Sequence, residues 1–273
     1  MAVSPSAVPS RPIVSLRAAR RTWAIGAIHG DRDKLARLHV ELASRFEAGQ
    51  NLIYLGNYLG VGADVRGTID EILVFRRAIL ARPRVWVDDV VFLRGRQEEM
   101  WSKLLQIQFA PNPAELLRWL HAHGIAQTIA AYGGTFERGL DAAGQGAMAL
   151  TKWTSSLRDG IRAAEGHNAL LSSLKHAAFV EDKTLVFVHA GLDANRPLTE
   201  QGDAFWWAAA DFDRIDQPYG EYRRVVRGYD PRHRGVALGE VVATVDGGCG
   251  FGGTLAAACF DDQGNPIDLI EVS

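Results

Sequence analysis

The chain has 273 residues, 47% of them hydrophobic, and a formal net charge of −2. That length supports one large domain, or a domain carrying an inserted subdomain, and the near-neutral charge excludes a global electrostatic pull toward nucleic acid or a membrane surface. No apolar run approaches the ~20 residues of a membrane span, and the two cysteines, Cys249 and Cys259, suggest neither a disulfide framework nor a zinc site, so a reducing, cytoplasmic setting is expected.

Residues 1–21 contain Ser, Pro, Ala and four arginines with no acid, the composition of a disordered tail. A transit peptide shares that composition, but Pro5, Pro9 and Pro12 argue against the helical apolar face it needs. The remainder, 22–273, reads as a single domain. Trp23–Ile28 is a buried strand ending in a tight glycine turn, Gly26–Gly30, that carries His29. Leu35, Leu38, Leu42 and Phe46 give Asp33–Phe46 helical spacing. A second strand, Asn51–Leu55, ends in Gly56-Asn57-Tyr58, and a second helix, Gly67–Leu80, shows Ile69, Ile72, Leu73 and Ile79 on one side. A third strand, Val90–Leu93, ends at Arg94-Gly95. This βαβαβ order predicts a mostly parallel layer covered by helices, with a site at the carboxyl ends of the strands.

From about 98 to 176 the pattern is helical, with breaks at Pro111, Pro113, Gly133-Gly134 and Gly139–Gly146, and it reads as a helical cap inserted into the domain. Lys183–His189 is a strand followed by Ala190-Gly191. Arg223–Arg227, Glu240–Val245, Thr254–Phe260 and Ile267–Val272 are short strands between glycine-rich turns, which predicts antiparallel pairing and a sandwich with one sheet from each half.

Five segments stand at strand ends: Gly26-Ala27-Ile28-His29-Gly30, Gly56-Asn57-Tyr58-Leu59-Gly60-Val61-Gly62, Arg94-Gly95-Arg96-Gln97-Glu98, His189-Ala190-Gly191 and Gly228-Tyr229. Their order and spacing resemble the calcineurin-like metallophosphoesterases, in particular the bacterial serine/threonine protein phosphatases and symmetrical diadenosine tetraphosphatases. The family patterns there are GDxHG, GDxxDRG, GNHE, HAG and GH. Gly62-Ala63-Asp64-Val65-Arg66 is similar to a further family stretch, G-P-D-S-x, and Val245–Leu255 to its closing D-T-G-x-x-x-G-G-x-L. The resemblance implies an α/β metallophosphoesterase fold, a two-sheet β-sandwich flanked by helices.

The resemblance also implies two divalent ions that activate a hydroxide for in-line attack on phosphorus. Here the residues depart from the pattern. Ala27 and Asn57 stand where the family has aspartates, Arg96 and Gln97 where it has the asparagine ligand and the proton-donating histidine, and Tyr229 where it has a second-ion histidine. Gly60-Val61 replaces the D-R whose arginine grips phosphate. Hard cations need carboxylates. Arg96 instead adds a fixed positive charge, and at ~4 Å and an effective dielectric of ~20 one unit charge repels another by about 4 kcal/mol.

No metal or other cofactor is therefore expected, and His29, Asn57 and His189 are the residual metal candidates. His29 and His189 read as fold remnants, as contacts to an anion, or as ligands of one ion. With Arg94 and Arg96 they form a candidate anion site. Arg96 can equally fill the vacated ion space and pair with an acid, Arg94 can be a solvated cation, and Tyr229 can fill volume. Asp33 and Asp64 read as helix caps. His121 and His123 carry no expected chemistry, and Phe205-Trp206-Trp207 reads as core or as a partner surface. The function expected is that of a pseudophosphatase that binds a protein partner or an anionic, phosphorylated ligand. The alternative is an active phosphatase, hydrolysing phosphoproteins or dinucleoside polyphosphates at a rearranged or single-ion site with manganese or another divalent metal.

Overall fold

The computed structural model describes residues 12–273. In the first half, the strands β2 (Arg21–Ile25), β3 (Asn51–Tyr54) and β4 (Val90–Phe92) pair in parallel. They have no polar face, so they need cover on both sides. Leu35, Leu38 and Leu42 of α1 (Arg32–Arg45) and Ile69, Ile72 and Phe75 of α2 (Val65–Leu80) pack on Trp23, Ile25, Leu52 and Tyr54. The alternate residues Ala24, Ile53 and Val91 face a second sheet. Full burial of each large aliphatic side chain contributes about 1.5–3 kcal/mol, so this double cover is the main source of stability here. Asp64 caps α2, accepting the Gly67 N–H at 2.7 Å. The cap of α1 is Asp31, which accepts from the Lys34 N–H at 3.1 Å; Asp33 lies inside the first turn, a correction that follows from the helix starting at Arg32.

After β4 the chain is helical, as the sequence predicts, through α3 (Arg96–Leu104), α4 (Pro113–Ala122), α5 (Ala126–Ala131), α6 (Phe136–Gln145), α7 (Ala147–Ala163) and α8 (His167–Ser173). A relay from the core to the surface ties these helices to α2: the Tyr132 hydroxyl meets buried His167 Nδ1 at 2.9 Å, and His167 Nε2 meets exposed Asp70 at 3.0 Å. No described helix is long and apolar enough to cross a membrane.

The remaining elements are β5 (Ala177–Val180), β6 (Leu185–Val188), the short helices α9 (Ala204–Trp207) and α10 (Ala209–Phe212), then β7 (Arg224–Arg227), β8 (Ala237–Leu238), β9 (Val242–Thr244), β10 (Leu255–Asp261) and β11 (Pro266–Val272). With β1 (Ile13–Leu16), two sheets result, ordered β1-β5-β6-β7-β9-β8 and β11-β10-β2-β3-β4. Their facing sides share one core, where Ala24, Ala178, Ala243, Ala256 and Ala258 leave room for Phe187 and Phe260.

Three expectations need correction. The segment expected as tail contains β1 (Ile13–Leu16), which runs parallel to β5 and buries Leu16 completely; residues 1–11 lie outside the described residues. The sheets are not one per half, because β10 pairs antiparallel with β2 and carries β11 into the first sheet. Finally, β6, β7 and β9 are parallel neighbours. The chain between β6 and β7 spans α9 and α10, which is long enough for a parallel crossover.

Candidate functional site

Backbone hydrogen bonds draw the strand-end loops together. The Ile28 and His29 N–H groups donate to the Asn57 carbonyl at 3.1 and 2.7 Å, Ala27 N–H donates to Gly228 O at 2.9 Å, and the Gly228 and Tyr229 N–H groups donate to His189 O at 3.0 Å. The approach is close enough that a Cβ on Gly26 would sit 1.8 Å from the Val245 carbonyl oxygen. His29 and Asn57 both hold left-handed backbones, φ 57° and 56°. Such positions cost of order 1–3 kcal/mol in strain for a residue such as His, and persist where surrounding contacts impose them. Much of that constraint comes from Glu98. Its buried carboxylate accepts the Asn57, Gly95 and Leu59 N–H groups at 2.9, 2.8 and 3.0 Å, clamping the loop after β3 to the loop after β4.

The side-chain hydrogen bonds assign the protons. Asn57 Oδ1 accepts the Gln97 N–H at 2.9 Å, so its Nδ2 donates to His29 Nε2 at 3.1 Å, and the His29 proton sits on Nδ1. His189 Nδ1 donates to the Leu55 carbonyl at 2.7 Å, leaving its Nε2 lone pair buried and, among the described residues, without a partner. Both rings are almost fully buried, 1% and 0% exposed. Burial lowers the His29 pKa to about 3 and the His189 pKa to about 4, against a partial upward pull from the Asp246 charge. Both imidazoles are neutral at physiological pH.

These depressed values fix a pH dependence. The folded state binds the two protons less well than the unfolded chain, so the stability they contribute is complete above the ordinary value of 6.5 and is lost as pH falls toward 4 and 3. Across that window each ring should remove about 1.4 kcal/mol of stability per pH unit. Urea denaturation at about pH 7.5, 6 and 5 checks this. His189→Gln should show the shallower acid loss, and equal slopes in the two proteins would contradict the assignment.

At two of the positions where the family resemblance places ligands, Ala27 and Tyr229, the structure places apolar packing. Ala27, Ala190 and Tyr229 form a small apolar cluster. The Tyr229 ring stacks on His189 at 5.3 Å and 8° and lies 5.5 Å from His29. Gln97 donates its side-chain amide to the His123 carbonyl at 2.9 Å, which turns it toward the end of α4. Asp246 approaches the histidines, but it is buried and accepts the Asp230 and Gly248 N–H groups at 2.8 and 2.9 Å.

A dinuclear centre asks for several converging anionic donors, and the donor set here does not fit one. His29 Nε2 and Asn57 Oδ1 are occupied by hydrogen bonds, Ala27 has no donor atom, and among the described residues only His189 Nε2 of the residual candidates keeps a lone pair without a partner. Among the described residues no three His, Cys, Asp or Glu side chains converge to hold a metal ion.

Of the four residues expected to share an anion site, three lie close together, the Arg96 charge adding to the lowering of both histidine pKa values, and Arg94 lies apart. His29 and His189 lie together in the closed centre. Arg96, half-buried, pairs with no carboxylate among the described residues; its guanidinium lies 4.8 Å above the Trp207 ring. Arg94 turns away, pairs with Glu99 at 3.1 Å and lines a separate cavity under the helical cap. Phe205 and Trp206 are core residues as expected, 2% and 6% exposed, whereas Trp207 sits at the rim, 5.8 Å from Trp119. Trp119 in turn lies 4.2 Å from His123.

Sequence reasoning missed Asp246, His233 and Phe251, although Phe251 packs against His29 at 5.0 Å and against His233 at 4.1 Å. The Asp246 signal was present in the closing motif. His233 carried none.

No family model matches the chain, and no curated protein matches it in sequence. Solved structures do. One described as a candidate diadenosine tetraphosphatase aligns with 96% of this chain and 98% of its own, at a TM-score of 0.53 and 19% identity. A mutant cold-active protein tyrosine phosphatase aligns with 97% of this chain and 83% of its own, at 0.50 and 11%. A metallophosphoesterase from Sphaerobacter thermophilus aligns with 93% and 88%, at 0.42 and 14%. With the motif order and the two-sheet architecture, the first of these likenesses defines the class: the chain has the calcineurin-like metallophosphoesterase fold. At such identities the likeness speaks for the fold alone.

Proposed function

We propose that this chain is a pseudophosphatase, a metallophosphoesterase fold that acts by binding rather than by turnover. The observation that carries the reading is the Tyr229 ring stacked on His189, in a centre where, among the described residues, no three His, Cys, Asp or Glu side chains converge to hold a metal ion. A neutral, buried histidine pair is also a poor anion site, so the centre itself is read as a plug.

Recognition of a protein or phosphorylated partner falls to the rim, where Arg96, Trp207, Trp119 and His123 form a continuous cation–aromatic surface. Arg and Trp are the residue types that most often dominate binding energy. The cytoplasmic setting is supported by two buried free thiols, Cys249 and Cys259.

Purified protein should contain no stoichiometric manganese, iron or zinc. It should not hydrolyse p-nitrophenyl phosphate, a phosphoprotein or diadenosine tetraphosphate, with or without added manganese. Two metal ions per chain, or manganese-dependent hydrolysis abolished by His189→Ala, would establish the alternative of an active phosphatase. Arg96→Ala should cost about 1 kcal/mol of stability through the lost contact with Trp207.

A further inference from the structure

Arg94 has no place in the centre, and the cavity it lines has no role in the reading above. That cavity, of about 310 Å³, lies between the loop after β4 and the helices α3, α7 and α8. Its polar lining is Arg94, Arg158, Arg162, Ser102, Asn168 and Ser172, drawn from four separate segments. One carboxylate, Glu98, also lines it, but that group is committed to three backbone N–H groups.

The guanidiniums keep donor capacity. Arg94 spends one amino group on Glu99, and its Nε–H is buried with no acceptor among the described residues. Arg158 donates to Thr154 Oγ1 at 3.2 Å and to the Leu105 carbonyl, and among the described residues it meets no carboxylate. Arg162 reaches Asp159 only at 3.4 Å, with both side chains more than half exposed, so that pair is screened and weak. Three forked cations beside two hydroxyls and an amide suit a doubly charged, tetrahedral oxyanion whose carrier also bears hydroxyl groups. The volume lies at the lower end of the range for small-molecule sites, which fits a sugar-sized carrier.

We infer that the cavity beneath the helical cap binds a small phosphate monoester through Arg94, Arg158 and Arg162, independently of the degenerate centre. Ser102, Asn168 and Ser172 take the hydroxyl groups of its carrier. The attraction is between charges at a partly open site, so it weakens as ionic strength rises from about 0.01 to 0.15 M.

The test is calorimetric titration of the full chain with inorganic phosphate, ribose 5-phosphate and ribose at low salt. Saturable one-site binding of ribose 5-phosphate is expected, with Arg162→Ala and Arg158→Lys each weakening it by about tenfold, the loss of roughly one charge-assisted hydrogen bond. Arg162 is exposed, so its removal leaves the fold intact. Arg96→Ala should leave the affinity unchanged. Equal affinity for inorganic phosphate would identify the free ion as sufficient ligand, and tighter binding of the monoester would show that the carrier is read as well; both sustain the site. Four results would overturn it: no saturable binding of either phosphate, binding of ribose alone, affinity unchanged in both cavity variants, or binding abolished by Arg96→Ala. The last would return the anion to the rim of the centre.

Discussion

Glu98→Gln is expected to remove about 3–5 kcal/mol of folding stability and to lower the Tm by roughly 10 °C or more. The carboxylate satisfies three backbone N–H groups and is almost fully buried. Hydrogen bonds to a charged acceptor contribute about 1.5–3 kcal/mol each, and a buried donor left without a partner costs about as much again. Glutamine keeps the size of the side chain but turns one acceptor oxygen into an NH₂ group that faces a backbone donor. The loss should fall on the clamp between the loops after β3 and β4, which also holds Asn57 in its left-handed conformation. Thermal and urea denaturation measure the effect. A change below about 1 kcal/mol, within the range of an ordinary surface substitution, would mean that the clamp is not what holds these loops.

The second large effect is a restored metal centre. Ala27→Asp, Asn57→Asp, Arg96→Asn, Gln97→His and Tyr229→His together should produce a protein that binds manganese and gains thermal stability from it, since a ligand that binds only the folded state stabilises that state. The single changes should behave in the opposite way. Ala27 packs against Ala190 and Tyr229, so an aspartate there alone buries an unpaired carboxylate and should cost about 3–5 kcal/mol. Tyr229→His alone empties the ring's place on His189 without supplying an anion. Groups that act as one unit are strongly non-additive, and the contrast between single and combined variants is the informative result. Elemental analysis and melting curves with and without manganese decide it. A folded quintuple variant that holds no metal would show that the five positions do not converge as the strand-end alignment requires.

What could be read along the chain was whatever short-range chemistry specifies. The helices α1 and α2 were visible because apolar residues recur at helical spacing and an aspartate precedes each run, although Asp31 and not Asp33 supplies the first cap. The loop motifs at the strand ends were visible for the same reason. Strand pairing was not visible. β10 is apolar at six consecutive positions because one face meets α1 and the other meets the second sheet, so it has no alternation to reveal its neighbours. β1, with its arginine- and proline-rich surroundings, became a strand only through its partner β5, which lies about 160 residues away.

The site divided along the same line. Arg94 and Arg96 are two residues apart and were expected in one anion site. Arg94 precedes Gly95, the N-cap of α3, and Arg96 is the first helical residue, so the turn of the backbone at the helix start sends one side chain under the cap and the other to Trp207. Residue identity put no carboxylate at the positions to which the resemblance assigns aspartate ligands. That the Tyr229 ring stacks on His189 was decided by packing between loops far apart in sequence, where desolvation and ring stacking act and no local pattern records them.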